Sequence, residues 1–360
     1  MIAGSLVALL VVLLVRDATS ESLPDAVRIT QVPDAYRIVY EVRAAAGPER
    51  PHTISTEILQ VDRPFRSLST TRIGDRLVAG RVADLTRLYQ HTDGRWIELQ
   101  LPPALAASDI RLHGVLDDRV EAGDIERTDE VRRIAGRACQ VHRLGGPVEG
   151  GSLTALDSVE GEVADVCVDE AGLVLLEEWT DDGELLRRRT AVDVDVDPDF
   201  DEDTFAVAEA EAVPATDGGG FAERVADDEP FGDRTLELPA VPDGFDRLGR
   251  WSIVWPRLQA TVDPFASPTE GRVAGIATVW VRGADVIAVE QGAVSESGRP
   301  FEPHPDGERV DLGALDIGEV ITDGRGTEVR VSYTDGSFVR VWSTLPRQDV
   351  LDLARSLEAR

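Results

Sequence analysis

Three Asp-Gly pairs, Asp93-Gly94, Asp182-Gly183 and Asp335-Gly336, each stand between runs in which apolar and polar residues alternate. Asp-Gly supplies the positive backbone angles of a tight hairpin, and a period of two turns one side of a strand toward a core. Leu88-Tyr89-Gln90-His91 is thus predicted to fold back onto Trp96–Leu101, Leu173–Trp179 onto Leu185–Val196, and Val329–Tyr333 onto Phe338–Trp342. In the last hairpin Val329, Val331 and Tyr333 fall on one face and Arg330 and Ser332 on the other. One buried face and one wet face are expected there. Tyr36–Val42 and Thr53–Val61, bounded by Pro48, Pro51 and Pro64, read as further strands. Helical signals are fewer. Short helices are predicted within Pro103–Asp118, and a final one opens at Leu345-Pro346 with Val350, Leu351, Ala354 and Leu357 at helical spacing. The expected class is α+β, mainly antiparallel β.

At 360 residues the chain exceeds what one core usually organises, which predicts two domains. Between Ala208 and Thr235 alternation gives way to Ala, Glu, Pro, Asp and the run Gly218-Gly219-Gly220, the chemistry of a linker. The expected units are a first domain over 25–208, an acidic linker over 209–234 and a second domain over 235–360.

Ile2–Val15 is almost wholly apolar and stops at Arg16-Asp17. It is shorter than the ~20 residues that cross a hydrocarbon core comfortably, and no basic stretch precedes it. It reads as part of a membrane anchor or as the core of a secretory signal over 1–20, with a buried helix as the alternative; the first two export the rest of the chain. No cysteine follows it closely enough to carry a bacterial lipid. The two cysteines, Cys139 and Cys167, lie in strand-like segments and fit an oxidising compartment. A disulfide between neighbouring strands is expected, two buried thiols being the alternative. Without a Cys-x-x-Cys pair no zinc site is expected.

Acidic residues number 67 against 37 basic ones, all arginine, for a net charge of -30. Such a surface repels phosphate backbones, so nucleic acid is excluded as a partner class. The acidity suits a salty medium, or a partner or ion drawn to negative charge. The histidines, His52, His91, His113, His142 and His304, are scattered, and no nucleophile elbow, phosphate loop or dinucleotide fingerprint is present. Catalytic residues, cofactors and metal ligands are therefore expected to be absent. The run Asp193-Val194-Asp195-Val196-Asp197 offers hard oxygen ligands, but strand spacing spreads them too far for one calcium. A solvated sheet edge that resists pairing is the preferred reading.

Several segments resemble the LolA/RseB (MucB) superfamily. Val166-Cys167-Val168-Asp169-Glu170-Ala171-Gly172-Leu173, then Glu178-Trp179-Thr180-Asp181-Asp182-Gly183 and Asp197–Phe205, is similar to that family's strand, hairpin and closing Phe-rich strand. Ile58–Arg66 resembles its strand, Pro, x, Arg element, and Arg137–His142 the strand before the Asp-Gly-Leu part. Leu238–Phe245 and the ending Val339–Pro346 resemble the C-terminal module of RseB and MucB. The resemblance implies a LolA-like curved half-barrel with short helices, then a smaller α+β domain. It implies lipid or lipoprotein acyl chains as ligands and, in some relatives, regulation of a membrane anti-sigma factor. Ligand-lining positions in that family are not fixed by motif, so none is assigned. A tethered sensor is the leading expectation. A lipid or lipoprotein carrier, an enzyme with a dispersed site and a structural surface protein are the alternatives.

Overall fold

The computed structural model describes residues 26–28, 33–44, 53–92, 94–100, 103–104, 107, 125–145, 163–181, 184–201, 203–207, 212–214, 221–228, 235–256, 272–294, 301, 304–305, 307–323 and 326–359. The expected α+β class with mainly antiparallel strands is what they form, in two large open sheets.

The first sheet is built from two meanders. One runs through β1 (Ala35–Ala44), β2 (Thr53–Asp62), β3 (Arg66–Ile73), β4 (Arg76–Asp84), β5 (Arg87–Thr92) and β6 (Arg95–Gln100). The other runs through β7 (Ile125–Ile134), β8 (Arg137–Gly145), β9 (Val163–Asp169), β10 (Val174–Asp181) and β11 (Glu184–Val196). They are zipped together where β11 pairs with β1, and β12 (Ala212–Pro214) adds a parallel strand on β6.

This sheet is not flat. Five of its eleven pairings carry a register shift. Each extra residue bends its strand and adds twist. The effect is clearest at one end: β7 comes within 8 Å of β11, Cα to Cα, although β8, β9 and β10 lie between them. In a flat sheet four strand spacings would hold them about 19 Å apart. That half of the sheet is rolled.

One face of β1 carries Tyr36, Ile38, Tyr40 and Val42, all buried, with Leu59 and Val61 opposite on β2; we call it the core face. Burying each such side chain contributes roughly 1.5–3 kcal/mol, so the row fixes which way β1 faces. On the other face of β3 to β6, the segment after β11 returns and packs Phe200, Phe205 and Val207 on Leu68, Val82, Tyr89 and Trp96. Trp96 lies so close over Gly80 that a Cβ there would meet its indole at 2.6 Å, which reserves the position for glycine.

The acidic run behaves differently from its sequence reading. Asp193 and Asp195 belong to β11, a strand inside the sheet, where they oppose Val39 and Arg37 of β1. Asp193 pairs with Arg37 at 2.7 Å. The edge reading is therefore corrected: the alternation that exposes these carboxylates also fits a strand whose outer face is ion-paired.

The second sheet has the order β13 (Phe221–Val225), β15 (Asp246–Pro256), β16 (Arg272–Arg282), β17 (Asp285–Val294), β21 (Ser337–Ser343), β20 (Gly326–Ser332), β19 (Ile317–Asp323) and β18 (Glu308–Asp311). A two-stranded ribbon, β14 (Leu236–Glu237) on β22 (Glu358–Ala359), lies beside it in the chain. The stretch expected as a linker thus supplies a short strand to each sheet, β12 to the first and β13 to the second.

Helix α1 (Arg347–Ser356) starts after Pro346 and buries Val350, Leu351, Leu353 and Ala354 in a core with Val320, Val329, Val331 and Val341. Asp349 in its first turn and Arg355 in its last both oppose the helix dipole favourably.

The expected wet face of the β20–β21 hairpin is wet only in part, at Ser332. Phe338 and Trp342 are buried on the side away from α1, in one cluster with Trp251, Ile253, Ala277, Val279 and Ala288. Phe65 and Leu85, from turns at the end of the first sheet, and Ala104 and Ala107 complete that cluster. The docked first sheet, invisible to local alternation, is what dries the rest of this face. Arg330, on the same side, is half-buried and bonds to Glu319 at 2.7 Å.

Candidate functional site

The side chains with most chemistry on the core face lie at the seam between the two meanders. Glu57 on β2 stands opposite Tyr40 on β1, Arg189 on β11 stands opposite Val42, and Glu177 on β10 stands opposite Arg189. Cross-strand partners share a face, so the fold gathers these groups from four strands. Arg189 makes a two-pronged contact with Glu57: Nε donates to Oε2 at 3.1 Å and Nη2 donates to Oε1. Its Nη1 donates to Glu177 Oε2 at 3.4 Å. The guanidinium stacks 3.6 Å from the centre of the Tyr40 ring, whose hydroxyl donates to the Val174 carbonyl at 2.8 Å. Arg187 adds a second cation, 3.7 Å from Glu57.

All of this is buried. Burial opposes the charge on Arg189, but Glu57, helped by Glu177, outweighs it and holds the proton more firmly than in a free arginine. Burial likewise pushes the Tyr40 hydroxyl above its ordinary value, with Arg189 pulling the other way. Both shifts lead away from neutrality, so neither Arg189 nor Tyr40 is poised to exchange protons there.

Trp179 continues the row. It is fully buried, pairs in register with Arg187, and its Nε1 has no hydrogen-bond partner among the described residues; neither has Nη1 of Arg187. Two strands away from Glu177, across Val166, sits His142. Burial, reinforced by Arg127, lowers its pKa. The sign of the consequence follows from linkage. Below about pH 6.5 the unfolded chain takes up a proton that the folded chain resists, so stability falls as pH drops from there toward the folded value. His142→Gln is expected to remove that limb, seen as a flatter melting temperature between pH 7 and 5; an unchanged slope would show that His142 is not its source.

Cys139 on β8 and Cys167 on β9 are joined by a disulfide with Cα atoms 5.3 Å apart, both fully buried in the cluster that contains Tyr36, Tyr40 and Leu88. Among the remaining sequence candidates, His91 stacks edge-on against Trp96 and His304 is exposed, shortly before β18 in the chain. His52, His113 and Ile2–Val15 fall outside the described residues. Among the described residues no group of three His, Cys, Asp or Glu could hold a metal ion, and no helix is long and apolar enough to cross a membrane.

Sequence reasoning did not single out Glu57, Glu177, Arg187 or Arg189. The signal was present. Glu57 interrupts an apolar row at an inward position of β2, and alternation in Leu186-Arg187-Arg188-Arg189 sends Arg187 and Arg189 to the face opposite Arg188. Charge at an inward position is the mark of a buried pair.

A second ionic ladder crosses the docked face of the second sheet. Arg340 bonds Glu290 at 3.0 Å and Glu328 at 3.1 Å. Burial raises the pKa of Glu290, with Arg340 opposing it and the Ala104 backbone N–H adding a smaller stabilising contact from the first sheet's side.

No protein-family model matches the sequence, and no curated protein is similar to it in sequence. Solved structures similar to it include the MucA/MucB complex of Pseudomonas aeruginosa, at 16% identity over 91% of this chain and 93% of that one, with a TM-score of 0.31. A LolA superfamily protein from Nitrosomonas europaea is 14% identical over 51% of this chain and 94% of its own, with a TM-score of 0.24. Both fall in the group that the sequence motifs resemble. What this chain binds is read from its own residues.

Proposed function

We propose that this chain is an extracytoplasmic binding protein without catalytic activity, and that the core face of its rolled first sheet takes up an acyl chain. The observation that carries this reading is the rolled first sheet, whose strand order does not close and whose inner row Tyr36, Ile38, Tyr40 and Val42 is apolar and buried at its seam. An apolar face backed by a few fixed polar groups is the usual make-up of a small-molecule site. The disulfide supports an oxidising compartment. Arg189 and Tyr40 in the seam cluster are both shifted away from neutrality, which favours binding over catalysis by those two groups.

The second sheet supports a sensor in preference to a simple carrier. Phe65 sits in the turn that joins β2 to β3 and is buried against Trp342 and its neighbours. A ligand that displaces β2 or β3 would be felt there, and a membrane-bound regulatory protein, such as an anti-sigma factor, is the proposed recipient.

The test is saturable uptake of a neutral fluorescent hydrophobic probe by the full chain, displaced by a long-chain monoacylglycerol. One site per chain is expected, with a photoreactive acyl analogue cross-linking to β1, β2 or β11. Absence of saturable uptake, or cross-links confined to the second sheet, would overturn the proposal.

A further inference from the structure

Beside the second sheet, the tip of the β20–β21 hairpin, the short 3-10 turn Gly313–Leu315 and the β14–β22 ribbon surround a cleft of about 980 Å³. That is the upper end of the range for small-molecule sites, about 300–1,000 Å³. Its floor is apolar: Leu315 and Leu357 are buried, and Leu236 and Tyr333 pack against the same core. One wall is pinned. Gln291 on β17 accepts from the Leu236 N–H at 2.8 Å and donates to the Leu236 carbonyl at 2.8 Å, which holds β14 to the sheet. The cleft is therefore built into the fold.

Charge decides what can enter. Three exposed carboxylates line the cleft, one from each surrounding element: Asp335 in the hairpin turn, Asp316 just after the 3-10 turn, and Glu358 on β22. Among the described lining residues there is no arginine or histidine. Tyr333 donates to the Leu315 carbonyl at 3.4 Å, and Asp316 and Asp335 add to burial in raising its pKa, so both negative charges reach the apolar part of the cleft. Anions are repelled here, and with them the phosphate of any phospholipid headgroup. A single metal ion does not fit either. Among the described residues no three carboxylates or other metal-binding groups converge on one point, whereas calcium takes about six to eight oxygens around one centre. The negative charges are separate, with apolar surface between them. Such a pattern suits a ligand in which positive charges alternate with methylene stretches.

We propose that this cleft binds a linear aliphatic polyamine, its ammonium groups on Asp316, Asp335 and Glu358 and its methylene segments on Leu315, Leu357 and Tyr333. An ammonium is a donor only and its stem is apolar, so each part of the ligand meets its complement. The Tyr333 ring adds a favourable face for a cation. The site is separate from the core face of the first sheet and does not depend on the acyl-binding reading.

Calorimetric titration of the full chain with spermidine, cadaverine and pentylamine, a triamine, a diamine and a monoamine, tests the proposal. At physiological ionic strength the net charge of -30 is screened beyond about 8 Å, so affinity reports the cleft and not the whole surface. One saturable site per chain is expected, with spermidine binding about tenfold tighter than pentylamine. Asp316→Asn with Glu358→Gln should weaken spermidine about tenfold, a few-fold for each exposed charge pair. Asparagine tolerates the positive φ of 73° at position 316, and melting temperatures report whether each variant folds. Asp195→Asn with Asp199→Asn, two exposed positions on and after β11, removes as much charge elsewhere and should change the affinity by less than about twofold. Equal losses in the two double variants would mean diffuse attraction to an acidic surface and overturn the proposal. Equal affinities for the three amines, or displacement of spermidine by equimolar calcium, would do the same. Tighter binding of a trilysine peptide than of spermidine would overturn the polyamine in favour of a basic protein segment. Absence of saturable spermidine binding would remove this inference and leave the acyl reading standing.

Discussion

Arg189→Met is expected to destabilise the folded chain by about 3–5 kcal/mol, the cost of removing one partner from a buried ion pair. The loss does not come from the arginine's own contacts alone. Glu57 and Glu177 are almost fully buried and both bond to Arg189, so the variant leaves two carboxylates in the core with only Arg187, 3.7 Å from Glu57, nearby. Tyr40 loses the cation stacked on its ring as well. The origin of the effect is separable. Glu57→Gln, Glu177→Gln and Arg189→Met together remove the charges as a set, and most of the loss should return because no ion is left stranded. Such non-additivity is expected of residues in one network. Urea unfolding midpoints of the single and triple variants measure it. A loss below about 1 kcal/mol for Arg189→Met, the scale of an exposed pair, would mean that water reaches the cluster and that the core face is not enclosed as described.

Removing the disulfide comes next in size. Cys139 and Cys167 are 28 residues apart in sequence, and for a loop of that length the chain-entropy estimate is about 3–4 kcal/mol. Both sulfurs lie in the cluster that holds Tyr36, Tyr40 and Leu173. The bond ties β8 to β9 within the rolled half, and its sulfurs pack in the cluster that reaches the seam of β1 and β11. Cys139→Ala with Cys167→Ala should lower the unfolding midpoint by the corresponding amount, and reduction of the native chain should do the same. If the double variant unfolds at the same denaturant concentration as the native chain, the unfolded state gains nothing from the loop and the tie is dispensable.

The sequence carried most of the fold and little of the site, for a physical reason. Strands announce themselves locally. Tyr36, Ile38, Tyr40 and Val42 alternate within seven residues, Asp335-Gly336 marks its own turn, and Val350, Leu351 and Ala354 keep helical spacing, so these elements were legible one segment at a time. The seam cluster is not local: Glu57 and Arg189 are 132 residues apart, and only the β1–β11 pairing brings them together. The two misjudged faces share that cause. Arg330 and Ser332 read as a wet side; Ser332 is exposed, but the docking of Phe65 and Leu85, which covers the rest of that face, leaves no trace in the hairpin itself. Asp193 and Asp195 read as an edge because exposure on one face says nothing about which strands lie alongside.

The proposal depends on a rolled sheet whose core face holds a guest. Native mass spectrometry of the full chain, extracted from membranes in mild detergent, tests it most directly. The predicted spectrum shows one adduct per chain with the mass of an acylated lipid, released on unfolding and yielding acyl fragments on collision. A spectrum with only the bare chain mass, unchanged after incubation with acylglycerols, would contradict it.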